Sequence, residues 1–330
     1  MATVYGDIGS RTAAFAAKEM LSHAEPILCL SKFGQVKPLP KNKTDTIKFR
    51  RPVPFTVSTV ALTEGVTPTA QAMAYEDVTV QLLQYGAVVD ITDKIEDLSE
   101  DPVLKDASML CGEQAAETIE MLLWGKLKAG TSVFYANGAL RTAVNSAITL
   151  PRQRAVTRAL KANRGKKVTS MVSASVNVST APVDAAYIAF GHTDLEADIR
   201  GLAGFTPTEQ YGSMQALPYE IGKVEDVRYI LTPLLVPFAD AGGLAATNGM
   251  VTTTGTASDV YPIIYVAKES YGLVPLKGAN AITPTVLNAG TPSKSDPLGQ
   301  VGHVGWKTYF EATILNQTWL SRLEVGATAL

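Results

Sequence analysis

The chain has 330 residues, 46% of them hydrophobic and 18% charged, and its 29 Lys and Arg against 31 Asp and Glu give a formal net charge of −2. That apolar content offsets ordering entropy and excludes intrinsic disorder, while 26 Gly and 18 Pro without a period exclude collagen-like and low-complexity classes. Near-neutrality argues against a chain that coats nucleic acid over its whole surface, and at roughly 150 residues per domain the length predicts about two domains.

Ser10 to His23 predicts a short amphipathic helix with Ser10 as N-cap and Phe15, Met20 and Leu21 on one stripe. Residues 24–43 carry Pro and Lys with little pattern and predict an extended arm. Thr46 to Phe55 is strand-like, although Pro52 and Pro54 keep it from the centre of a sheet. Val57 to Leu62 continues it, Thr63 to Thr69 forms a loop tip, and Asp77 to Ile91 returns with Val78, Val80 and Leu82 alternating. A lone hairpin is marginal in water, so this excursion is expected to lie on something else.

Asp101-Pro102 is an N-cap followed by a first-turn proline, predicting a helix to about Lys128 that Gly130 closes. Leu104, Ala107, Cys111, Ala115, Ile119 and Leu122 mark its buried stripe. Its length of about 40 Å suits the backbone of an elongated molecule. Val133 to Leu150 predicts short strands with a turn at Asn137-Gly138, and Pro151 to Asn163 a basic helix ending at Gly165. Ala185 to Phe190 predicts a buried strand. It leads into a capping box, Thr193-Asp194-Leu195-Glu196, and a helix through about Leu202; Thr206 to Glu209 resembles a second box. Val227 to Val236, Val260 to Val266, Gly305 to Leu315 and Trp319 to Val325 predict strands, and Gly242 to Gly255 a surface loop. The class is α+β.

No element carries a catalytic signature. Neither a phosphate-binding loop, Gly-x-Ser-x-Gly nor His-Glu-x-x-His occurs. His192 beside Asp194 is explained by capping, His303 sits in a Gly-rich run without an evident partner, and His23 ends a helix. Cys29 and Cys111 are far apart, so neither a disulfide framework nor a zinc site is expected, and two free thiols fit a reducing compartment. The N-terminus lacks the basic and apolar regions of a signal peptide, and no apolar run approaches the ~18 residues of a spanning helix.

Charge is segregated along the chain. Residues 37–51 hold six cations against Asp45, residues 90–106 hold seven acids against Lys94 and Lys105, and residues 152–167 hold seven cations and no acid. Such blocks fit complementary surfaces that meet between copies. The last block has no interleaved aromatic for base stacking.

The run Ser295-Asp296-Pro297-Leu298-Gly299-Gln300-Val301-Gly302-His303-Val304-Gly305-Trp306-Lys307-Thr308 is similar to the hallmark of the N-four-type branch of phage major capsid proteins. Trp319 to Glu324 resembles that branch's closing strand. Ala189 to Arg200 resembles its strand–His-x-Asp–helix segment, with Thr193 where many members have proline. The order of elements along nearly the whole chain resembles the Hong Kong-type fold of tailed-bacteriophage capsids.

The resemblance implies an arm at 1–40, an extended β-hairpin loop at 41–92 and a peripheral domain at 93–168 with a spine helix at 101–129. An axial domain at 169–300 and return strands at 301–330 complete it. It implies a non-enzymatic, cofactor-free shell protein that assembles into pentamers and hexamers of an icosahedral head. The partners it implies are a portal, scaffolding and cement proteins, and packaged double-stranded DNA through non-specific contacts; no membrane is involved. Synthesis and assembly are expected in the host cytoplasm, with the final place in the virion. Candidate inter-subunit residues are Lys48, Arg50, Arg51, Glu64, Asp97, Glu100, Asp101, Arg154 and Arg158. An encapsulin-type nanocompartment shell, which shares the fold, and a cytosolic enzyme are the alternatives.

Overall fold

A computed structural model describes residues 19–20, 22–24, 27–98, 102–173, 179–212, 215–276, 283–287, 289 and 296–330. Most of the helix expected from Ser10 lies outside this set; residues 19–20 and 22–24 are helical. The strands are β1 (Gln35–Val36), β2 (Thr46–Pro52), β3 (Tyr75–Gln81), β4 (Leu83–Thr92), β5 (Val133–Tyr135), β6 (Val168–Ser173), β7 (Ser179–Gly191) and β8 (Phe205–Pro207). They continue as β9 (Glu220–Val224), β10 (Val227–Leu231), β11 (Tyr261–Val266), β12 (Tyr271–Pro275), β13 (Thr283–Leu287), β14 (Val301–Ile314) and β15 (Leu320–Val325).

An eight-stranded sheet runs β5–β15–β11–β7–β10–β9–β8, with β6 on the first half of β7. Its central strands are continuous apolar runs because both faces are covered. Successive side chains alternate between faces. Ile188, Phe190, Ile230 and Ile264 pack with the spine helix (Val103–Leu127) through Ile119, Leu123, Trp124 and Leu127. Tyr187, Ala189, Tyr229, Ile263 and Tyr265 pack with the basic helix (Leu150–Ala162) through Val156 and Leu160.

The second sheet is built on β14. Ten of its residues, Val301 to Phe310, pair antiparallel with β4. On its other side β13 and then β12 pair with successive halves, and β1 adds to β12 in parallel. Cys111, Ala115 and Ala116 of the spine helix meet Val304 and Trp306 of β14, small residues letting the helix approach the sheet. Trp306 Nε1 donates to Gln114 Oε1 at 3.1 Å.

Several expectations are corrected. Pro102 occupies the N-cap position rather than the first helical turn, the helix starting at Val103; Asp101 lies outside the described residues. Leu122 is only half-buried, and Leu123 and Trp124 carry the core there, because 3.6 residues per turn drift away from a strict repeat. The arm is not free. Cys29, Leu30, Phe33 and Leu39 are buried, and Leu30–Lys32 forms a 3-10 turn. Val133 to Leu150 yields one strand, β5, followed by a turn and a 3-10 segment at Arg141–Ala143. The strand expected to Val236 stops at Leu231, two residues before Pro233, and Trp319 precedes rather than opens β15. Thr193 does not cap: His192 does, its Nδ1 accepting the Asp194 N–H at 3.1 Å. Thr206 lies within β8, so no second box forms. Gly242 to Gly255 is a loop, but a pinned one, since a Cβ at Gly242 would lie 2.3 Å from the Val144 carbonyl.

Candidate functional site

The hairpin of β2 and β3 is a two-stranded sheet of its own, pairing Thr46↔Gln81 through Pro52↔Tyr75. Its inner side rests on the body through a small cluster, Leu39, Phe49, Val80 and Val274. Its rim is ionic. Arg50 donates to Asp77 through Nε at 2.8 Å and Nη2 at 2.9 Å, and Arg51 pairs with Glu76. The Arg50 guanidinium holds the Asp77 carboxyl below its usual range. Arg51 also lies over the Trp319 ring, 5.5 Å from its centroid, tying the hairpin base to the start of β15. Lys48 makes no ion pair among the described residues, while its carbonyl accepts Lys37 Nζ at 2.6 Å.

Beyond Pro52 the chain continues without secondary structure to Ala74, apart from a turn at Glu64-Gly65. Val53, Phe55, Val57, Val60, Leu62, Val66 and Met73 are all exposed, Val60 by 82%. Gly65 has φ +78°, which a left-handed tip requires and glycine adopts without strain. Glu64 is exposed and carries no ion pair among the described residues.

The acidic block is described only in part. Asp90 Oδ1 accepts from His303 Nδ1 at 2.8 Å across the β4–β14 ladder. His303 is therefore a strand residue with a partner, not the loop histidine expected. Asp93 accepts the Lys94 N–H. Glu100 and Asp101, and the side chain of Asp97, lie outside the described residues.

The basic helix is less free than its charge suggested. Arg154 pairs with Glu225 at 2.8 Å, and Lys161 and Lys167 share Asp226 at 2.5 and 2.9 Å. Those two lysines lower the Asp226 pKa. Glu225 and Asp226 form the tight β9–β10 turn, with Glu225 at φ +52°. Arg158 stands on the same outward face, between Arg154 and Lys161, without an ion pair among the described residues.

Sequence reasoning missed the buried ionisable side chains Arg228, Glu220, Glu324, Arg322 and Glu120. Arg228 pairs with Glu220 at 2.6 Å, and Glu220 also accepts the Tyr211 hydroxyl at 2.6 Å. Glu324 is fully buried between Arg141, at 2.8 and 2.9 Å, and Arg322. Glu120, on the spine helix, is fully buried and makes no ion pair among the described residues. It accepts the N–H groups of Cys29, Leu30 and Ser31 at 3.1, 3.0 and 3.3 Å. Burial outweighs these hydrogen bonds and raises its pKa, and burial beside Glu120 pushes the Cys29 thiol up as well. Nothing in the sequence marks Glu120, because its donors are backbone groups 89 to 91 residues away.

Among the described residues no three His, Cys, Asp or Glu side chains converge as metal ligands, and no helix is long and apolar enough to cross a membrane.

Residues 75–314 match the family model described as phage capsid protein. No curated protein matches the chain. Among solved structures the fold is similar to the capsid of Ralstonia phage GP4, with a TM-score of 0.67 and 11% identity over 91% of this chain and 90% of that one. It is also similar to the cyanophage Pam1 capsid, with a TM-score of 0.61 and 16% identity over 94% and 93%. The SrpI encapsulin of Synechococcus elongatus is similar with a TM-score of 0.52 and 12% identity over 89% and 86%.

Proposed function

Because the chain belongs to the phage capsid protein family, a structural rather than enzymatic family of the virion shell, we propose that it is the repeating subunit that closes an icosahedral head as pentamers and hexamers. The observation that carries this is the hairpin beyond Pro52, whose apolar side chains stand exposed among the described residues. Exposed apolar surface of this extent marks an interaction site. A shell of many copies supplies the cover, and the hairpin serves as a clamp on an adjacent copy.

In this reading residues 1–40 form an arm, 41–92 the extended loop, 93–168 with the return strands 301–330 a peripheral domain, and 169–300 an axial domain. The burial of Leu30, Phe33 and Leu39 gives the arm an anchored second half. Lys48, Arg50, Arg51, Glu64, Asp97, Glu100, Asp101, Arg154 and Arg158 are inter-subunit candidates. Arg50, Arg51 and Arg154 already hold acids within the chain, so across an interface they would share these acids rather than meet bare ones. Lys48 and Arg158 are the cations left for a neighbour. A portal closes one vertex, scaffolding or cement proteins assist, packaged double-stranded DNA makes non-specific contacts, and assembly takes place in the host cytoplasm.

The test is negative-stain electron microscopy of the purified chain. Hollow, angular particles are expected. A compact monomer at every protein concentration and salt condition would refute the reading.

A further inference from the structure

The second sheet ends in an open edge. β4 is ten residues long and, among the described residues, pairs on one side only, with β14. No backbone hydrogen bond links its outer edge to any described residue. Leu83, Val88 and Val89 are exposed along it, Val88 by 64%. A long, unprotected edge with apolar side chains is a template for another strand, and proteins that remain single normally blunt it with lysine, proline or a bulge. β4 contains none of the first two, and its pairing with β14 is continuous over ten residues.

The same chain carries a segment with the complementary property. Residues 53–62 have no secondary structure. Val53, Phe55 and Val57 alternate, Val60 and Leu62 repeat the period, and all five side chains are exposed. Alternation at period two belongs to a strand on a sheet, yet the β2–β3 ladder ends at Pro52 and one last bond, from the Val53 N–H to the Ala74 carbonyl at 2.9 Å. One element is a strand without a sheet, and the other is a sheet edge without a strand.

We propose that residues 53–62 of one copy add to the outer edge of β4 of a neighbouring copy, extending the β14-centred sheet across the subunit boundary. This rests on the clamp reading above and specifies the surface that the clamp grips. Main-chain hydrogen bonds supply the affinity of such strand addition, and the side chains set its register.

Charge sets the direction. The cations Lys48, Arg50 and Arg51 precede the apolar segment, and Asp90 and Asp93 close the C-terminal end of β4. Opposite charges meet when the start of the added segment lies beside the end of β4, which is the antiparallel sense. Leu62 then approaches Leu83, and Phe55 and Val57 lie toward Val88 and Val89. The parallel sense would set Glu64 beside Asp90, like charge against like, and leave Lys48 far from both acids.

The experiment uses assembled particles of the full-length Val57→Cys variant, labelled with benzophenone maleimide, irradiated and mapped by mass spectrometry. The native thiols Cys29 and Cys111 are both buried. Cross-links between chains into residues 83–92 are expected, concentrated at 86–92. Cross-links between chains to any other region would overturn strand addition while leaving the clamp standing. Cross-links confined to one chain would overturn both. As a second measurement, Val88→Lys with Val89→Lys places charge on side chains already exposed in the monomer. Particle yield should fall at least tenfold with the monomer's melting temperature within a few degrees of wild type. Normal yield would refute the proposal.

Discussion

At the scale of single residues, Glu120 joins the two ends of an argument. It sits within the spine helix, and its carboxyl organises a turn 89 to 91 residues before it in the chain. Three N–H donors, those of buried Cys29 and Leu30 and half-buried Ser31, depend on it, and a stranded buried donor costs about 1–3 kcal/mol. Glu120→Ala should therefore lower stability by several kcal/mol in denaturant titrations and expose the 27–33 segment to hydrogen exchange. A pH effect follows from the raised pKa. The folded chain holds the Glu120 proton more tightly than the unfolded chain, so this residue's contribution is complete below the unfolded pKa and is lost as pH rises through the folded one. The melting temperature of wild type minus that of Glu120→Gln should rise as pH falls from about 8 to about 5. A flat difference would show that Glu120 does not titrate in that window.

Arg50 and Arg51 make a second test at this scale. Reversing both to Glu sets like charges against Asp77 and Glu76 on the paired strand. The hairpin rim should splay while the buried cores are untouched, so particles should fail to form from monomers with unchanged far-ultraviolet circular dichroism. Normal particles would mean that these arginines serve only their own hairpin.

At the scale of elements, the spine helix shows what periodicity can and cannot deliver. The stripe of Ala107, Cys111 and Ala115 was legible because these residues share one core with Val304 and Trp306 of β14. It failed at Leu122 because the last two turns enter the other core, between the arm and the eight-stranded sheet. The capping box at Thr193 failed for a different reason. The residue before it, His192, presents an imidazole nitrogen at the right distance, an option that composition rules for caps do not weigh. Strand runs that were continuous and apolar were found with sound type but loose ends, since proline at 233 ends β10 earlier than hydrophobicity does. The ionic partners of the basic helix were hidden because Glu225 and Asp226 are remote in sequence and meet it only through the β9–β10 turn.

Two further expectations belong to elements. Gly112 faces the 19–24 segment so closely that a Cβ would lie 2.5 Å from the Met20 carbonyl oxygen. Gly112→Ala should cost about 1–3 kcal/mol as an overpacked contact, in spite of alanine's better helix propensity, and should speed proteolysis near residue 20. If Gly112→Ala instead stabilises the chain, the close approach is not held. The hairpin tip is the other case. Val57 to Tyr75 contains no lysine, so the neutral amine needed for an isopeptide weld between subunits is missing. Denaturing gels of mature particles should show one band near 35.1 kDa. A ladder surviving boiling and reductant would point to Lys48 or Lys43.

At the scale of the whole molecule, β14 is the keel. A strand near the C-terminus carries β4, β12 and β13 and the spine helix at once. Its partner β4 is made more than two hundred residues earlier, Thr92 pairing with Val301 and Leu83 with Phe310. At typical synthesis rates that gap is roughly 10–40 s. For that interval a nascent chain displays the apolar hairpin but has no finished sheet on which another copy could settle. Completion of β14 thus becomes the licence for polymerisation: chains that have not yet made it are excluded from the lattice because their β4 has no partner strand.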